Sequence, residues 1–253
     1  MELSFIASRL AELLPVVDSK TTTQRASRSG SGDYIPCVGT IWEDDFTKEV
    51  ISEWFSRYPE ELSGFSDKWI EVKYPNKRGN CDLCIRSNDY NADLGEPPYE
   101  WAIEMKYVRF IGDNGKNNDY GVTKVASPYR KDRSSVLDAE RLVDFTLAKR
   151  KAIIMYGFEF DSASYDHALS WCDKNSTGSE KLNNIERSKN MKKVLHTEDP
   201  ELNQMSMLSL IPLFEAASKT RKINLSKCSN FEFNDLSKHP LYRRGRIMAW
   251  EVL

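Results

Sequence analysis

Two strand-length runs, NCDLCIRS (80–87) and YEWAIEMKYVRF (99–110), carry ionisable side chains where a half-buried strand would favour Val or Ile. Asp82 lies inside the first run, and Glu104 and Lys106 lie inside the second. Residues two apart on a strand share a face, so Glu104 and Lys106 point together while Ile103 and Met105 point into the core. Leu83 and Ile85 give the first run its apolar face, opposite Asp82. Adjacent antiparallel strands are about 4.8 Å apart, which puts Asp82 within reach of Glu104. A buried charge is costly unless it is paired or binds a metal, and two such carboxylates repel unless a proton or cation intervenes. A second Glu-x-Lys, Glu71 and Lys73 in KWIEVKYP (68–75), is a decoy for this pattern, although Glu71 is itself a candidate ligand.

The flanking patterns define the architecture. MELSFIASRLAELL has Leu3, Ile6, Leu10, Leu13 and Leu14 at helical spacing. GTIWEDDFTKEVISEWFSRY, from Gly39, repeats that spacing and opens with a capping-box pattern, Thr40 and Glu43. SSVLDAERLVDFTLAKRK (134–151) predicts a helix, and AIIMYGFEF (152–160) a buried strand. Residues 163–218 are mostly helical and polar in pattern, and the C-terminal stretch reads as two strands around a basic turn. The polar segment 18–34 predicts a mobile arm, and the aperiodic 109–131 a functional or disordered loop. Three closely linked strands suggest a meander, and a helical crossover before the fourth suggests a parallel neighbour. The expectation is an α/β/α sandwich around a mixed sheet. It divides into a helix and basic arm (1–38), a core (39–160) and a C-terminal helical and β elaboration of the same domain (161–253).

At 253 residues, with 40% hydrophobic and 29% charged side chains, the chain can build a sizeable core. No run reaches membrane-spanning length, and Glu2, Arg9 and Glu12 break any signal-peptide pattern. Five cysteines without framework spacing suggest free thiols and a cytoplasmic protein. Cys81 and Cys84 lack a second pair at zinc-ligand spacing, and no phosphate-binding G-x-x-x-x-G-K-[ST] loop occurs. The net charge of −2 is unevenly spread: residues 124–151 hold eight Lys/Arg against four Asp/Glu, and 219–253 hold eight against three. Arg130, Lys131 and Arg133, with Arg243 and Arg244 of YRRGR, are candidate contacts to nucleic-acid phosphate.

Asp82, Glu104 and Lys106, in this order of helix, strands, helix and strand, resemble the D…E-x-K signature of the PD-(D/E)xK nuclease superfamily, the fold of many restriction endonucleases. The resemblance covers about residues 40–160 and implies a restriction-endonuclease-like fold. It further implies that Asp82 and Glu104 bind Mg²⁺, and that Lys106 assists the attacking water. Cys81 stands where the name-giving motif has proline. GTIWE resembles the start of the first helix in several relatives, where an acid joins the site. Glu43 is the choice here, with Asp44 and Glu49 as rivals. The implied activity is a DNA endonuclease of restriction or phage-defence type, a homodimer if it cuts both strands. A repair or recombination nuclease of the same fold, or a non-catalytic nucleic-acid-binding module, are the alternatives.

Overall fold

The structure is a computed structural model, and it describes residues 1–22, 35–75, 77–86, 95–110, 127–129, 134–160, 166, 170 and 206–253. Its helices are α1 (Leu3–Lys20), α2 (Glu43–Arg57), α3 (Ser135–Val143) and α4 (Leu210–Thr220). Its strands are β1 (Ile70–Lys73), β2 (Asn80–Arg86), β3 (Tyr99–Val108), β4 (Ala148–Glu159), β5 (Ser229–Phe233) and β6 (Arg244–Glu251). They form one six-stranded mixed sheet in the order β1-β2-β3-β4-β6-β5. The β1–β2–β3 meander is antiparallel, β3 runs parallel to β4 across the α3 crossover, and β4, β6 and β5 close the sheet antiparallel. Among the described residues no helix is long and apolar enough to cross a membrane.

Strand alternation assigns the two faces. On β3, Trp101 and Tyr107 look toward α1 and α2: the Trp101 indole donates to the Met1 carbonyl at 3.0 Å, and Tyr107 stacks on Tyr156, which stacks in turn on Phe46 of α2. Glu104 and Lys106 look the other way, toward α3. On that second face Phe214 of α4 packs on Trp250 of β6, ring centroids 4.9 Å apart. Helices therefore cover both faces of the sheet, and buried Trp54, Trp101 and Trp250 fill the layers between. α1 buries its Leu3, Ile6, Leu10, Leu13, Leu14 and Val17 stripe. Buried Asp18 in its last turn accepts from the amides of Val38, Ser237 and Lys238, tying α1 to the segment before α2 and to the β5–β6 loop.

Several boundaries depart from the sequence pattern. The helix expected over 134–151 stops at Val143, and β4 begins at Ala148 instead of 152. Phe145 is fully buried and its amide turns back to the Leu142 carbonyl, so core packing ends the helix. The basic residues that read as a helix C-terminus are strand residues with partners: Lys149 meets Glu96, and Arg150 bridges Glu2 and Glu251 above the Trp101 ring. The expected capping box also fails to form. The Thr40 hydroxyl donates to the Ile35 carbonyl at 2.6 Å, and α2 begins at Glu43 with no side-chain cap. The first expected strand is shortened, because residues 67–69 form a 3-10 turn before β1. Segments 18–34, 109–131 and 163–205 fall largely outside the described residues.

Candidate functional site: an acid–lysine cluster where two strands part

The site lies where β2 leaves β3. Their ladder runs from Arg86↔Tyr99 to Leu83↔Ile103 and is not continued beyond that pair. The β3 amides past that point still need acceptors, and carboxylates supply them. Asp82 Oδ2 accepts from the Met105 amide at 2.6 Å, and Glu43 Oε1 accepts from the Tyr107 amide at 3.0 Å. The Cys81 thiol donates to the Ile103 carbonyl at 3.4 Å. The fork in the sheet thus places Asp82 and Glu43 beside the β3 residues Glu104 and Lys106.

The segment before α2 fixes where Glu43 arrives. The Gly39 carbonyl accepts from the Tyr107 hydroxyl at 2.8 Å and from Arg109 Nη2 at 2.7 Å. A Cβ at Gly39 would lie 2.3 Å from the Tyr242 ring, so only glycine allows this approach. The rival acids go elsewhere. Asp44 is exposed, Glu49 accepts from the Thr21 hydroxyl at 2.6 Å, and Glu71, at a positive φ of 57°, holds the Asn80 amide at 2.9 Å. Lys73 is exposed at the end of β1.

Asp82 and Glu104 are close enough for a proton held between them to link the two carboxyls, and the Tyr74 hydroxyl donates to Glu104. Lys106 Nζ lies 3.0 Å from Asp138 Oδ2 and 3.6 Å from Glu43 Oε1. Arg141 Nη2 pairs with Asp138 Oδ1 and lies 3.5 Å from Glu104 Oε1. Asp138, Arg141 and Tyr74 are the members that the sequence pattern did not single out. One signal was present: Asp138 interrupts the otherwise small or apolar buried stripe Ser135, Ala139 and Leu142 of α3.

Burial dominates the electrostatics. It pushes the Glu43 carboxyl up to about 7 and that of Asp82 up to about 6, against the pull of Lys106. Glu104 is raised further by burial, with Asp82 and Asp138 adding to the shift. Burial alone would lower the Lys106 pKa, but Glu43, Asp138, Asp82 and Glu104 outweigh it and hold the ammonium charged. A raised carboxyl pKa means the folded chain keeps protons that the unfolded chain releases. That contribution to stability is complete below the ordinary carboxylate range near 4 and is lost as pH rises through 6 to 7. Thermal denaturation of the metal-free protein should therefore show a falling Tm between pH 5 and pH 8 from this cluster. Asp82→Asn should flatten that slope, and an unchanged slope in the variant would contradict the assignment.

Other site expectations fare differently. Arg130, Lys131 and Arg133 lie outside the described residues. Arg243 is exposed, whereas Arg244 is half-buried and opens β6 opposite Glu159 rather than sitting in a turn. Neither joins the acids, since Lys106 is aligned through Met155 with Met248, four residues further along β6. Arg246 is bound by Glu159 and Glu232, and Arg221 by Glu140. Together with the pairs of Arg141, Lys149 and Arg150, this neutralises part of the positive charge of both basic segments within the protein. Cys37, Cys81, Cys84 and Cys228 are free thiols, and among the described residues no three His, Cys, Asp or Glu side chains are grouped to hold a metal ion.

No protein-family model matches the sequence, and no solved structure is a significant match to the chain.

Proposed function

We propose that the chain is a Mg²⁺-dependent endonuclease that hydrolyses DNA phosphodiester bonds, a restriction or phage-defence nuclease of restriction-endonuclease-like fold. The observation that carries this reading is the charge of the cluster. Fully ionised, the four acids Glu43, Asp82, Glu104 and Asp138 face only two bases, Lys106 and Arg141, which leaves two negative charges in a largely buried site. Two protons or one divalent cation would balance them. The available donors are carboxylate oxygens, and a hard ion such as Mg²⁺ needs only one or two of these beside water and phosphate oxygens. Asp82 and Glu104, which act on each other's ionisation, are the pair that would hold it.

When bound, Mg²⁺ would polarise the phosphoryl oxygen and lower the pKa of water. The residues of the chain supply the rest. Lys106, kept cationic by its acidic neighbours, orients the attacking water and offsets charge that grows on the phosphoryl oxygens as the water oxygen bonds to phosphorus and the P–O bond to the leaving sugar breaks. The proton that the water gives up passes to solvent, and the departing sugar oxygen takes one from solvent. Glu43 steadies Lys106 from the opposite side to α3 and fixes the β3 backbone through Tyr107. Cutting both strands with one such site per chain calls for a homodimer.

The decisive test is incubation with supercoiled plasmid DNA in Mg²⁺, in Ca²⁺ and in chelator. Nicked and then linear plasmid should form with Mg²⁺ alone. Plasmid that stays intact in Mg²⁺ over a wide range of protein concentration would overturn the reading.

A further inference from the structure

Lys106 has four carboxylates around it, yet among the described residues its ion pairs are with Glu43 and Asp138, not with Asp82 or with Glu104 on its own strand. This is unexpected from local geometry, because residues two apart on one strand face the same way. The shorter of the two contacts, 3.0 Å, is to Asp138 Oδ2. Asp138 is 2% exposed, and its other oxygen is held by Arg141, which also reaches Glu104. Arg141 thus holds Asp138 in place, and Asp138 is the carboxylate nearest to the Lys106 ammonium.

We infer that Asp138 is a positioning residue that tethers the Lys106 ammonium away from the Asp82–Glu104 pair, keeping those two carboxylates open to a divalent cation. The inference rests on the metal-dependent reading above but concerns the lysine's place, not the chemistry. Without the tether, the flexible four-carbon stem lets the ammonium swing onto the acid pair and compete with the metal for the same oxygens. Arg141 acts one step further out by fixing Asp138.

Calorimetric titration of the metal-free protein with Mg²⁺ tests the tether in two backgrounds. Asp138→Asn should weaken Mg²⁺ binding by about tenfold or more, the scale for losing a residue that orients a metal site from outside. In a Lys106→Met background the same substitution should cost clearly less, because no ammonium remains to compete and only the loss of the Asp138 charge beside the acid pair is left. An equal loss in both backgrounds would mean that Asp138 acts only through its charge at a distance, and would overturn the tether. Arg141→Gln, on a side chain that reaches the surface, frees Asp138 but also removes a cation from beside Glu104. Mg²⁺ affinity should therefore rise in the Lys106→Met background and rise less, or fall, where Lys106 is present. An equal change in both would overturn the tether. Should Asp138→Asn fail to fold, that second pair decides the matter. A crystal structure of metal-free Asp138→Asn gives a readout that needs neither metal nor activity. Lys106 Nζ should lie within ion-pairing distance of Asp82 or Glu104, and an ammonium still resting on Glu43 would overturn the inference. Wild-type protein that shows this coupling but cuts no DNA would sink the nuclease reading and leave the tether standing.

Discussion

Asp82→Asn and Glu104→Gln, made separately, are expected to slow Mg²⁺-dependent cleavage by about 1,000-fold or more, the upper range for removing one group that stabilises charge in a transition state. The amides keep the shape of the carboxylates, and each can still accept one hydrogen bond, from the Met105 amide or the Tyr74 hydroxyl. Neither replacement can neutralise a divalent ion. The same variants should be as stable as the wild type at pH 8, or more stable, because each removes a buried carboxyl that resists ionisation. Lost activity with retained or raised Tm separates a functional site from an ordinary buried ion network, where breaking a partner is costly. Near-normal cleavage together with a Tm several degrees lower would assign the cluster a structural role.

Lys106→Met should divide binding from chemistry. Its ammonium matters most where charge develops, in the transition state, so single-turnover cleavage should fall by about 100-fold. Binding to DNA measured in Ca²⁺ should change little, and the acid pair should take up a cation more readily without a neighbouring positive charge. Asp138 remains paired with Arg141 in this variant, which limits the structural cost. Lys73→Ala is the control, because Lys73 is exposed at the end of β1 and Glu71 beside it turns toward Asn80. A dead Lys73→Ala beside an active Lys106→Met would move the active site to Glu71 and Lys73, and the strand assignment would be wrong by one.

Much of the core was legible from short-range pattern. The alternation in 80–87 and 99–110 reflects the two-residue repeat of a strand, which any local window displays. It identified β2 and β3 and put Glu104 and Lys106 on one face. The meander followed by a helical crossover implied a mixed sheet, and β3 and β4 are indeed parallel. Boundaries were less legible. Thr40 and Glu43 fit a capping box by spacing, but each finds a partner far along the chain or outside the helix, Tyr107 for Glu43 and Ile35 for Thr40. The basic end of 134–151 looked helical because charge pattern alone cannot tell a helix C-terminus from a strand whose cations meet Glu2, Glu96 and Glu251.

The sequence by itself determined which side chains share a strand and a face, because backbone geometry over two residues is independent of the rest of the fold. It thereby put Glu104 beside Lys106 and made a facing Asp82 plausible. Only the tertiary structure decided what surrounds them. The parting of β2 from β3 frees the Met105 and Tyr107 amides for Asp82 and Glu43, and the crossover lays Asp138 and Arg141 of α3 over the same face. The choice of Glu43 over Asp44 and Glu49 depends on where α2 begins and how it is turned, which Gly39 against Tyr242 helps to set. Such contacts join residues tens of positions apart, and their cost or benefit exists only once the intervening chain is packed. Local propensity carries no trace of them beyond one acid, Asp138, set into a stripe that should have been apolar.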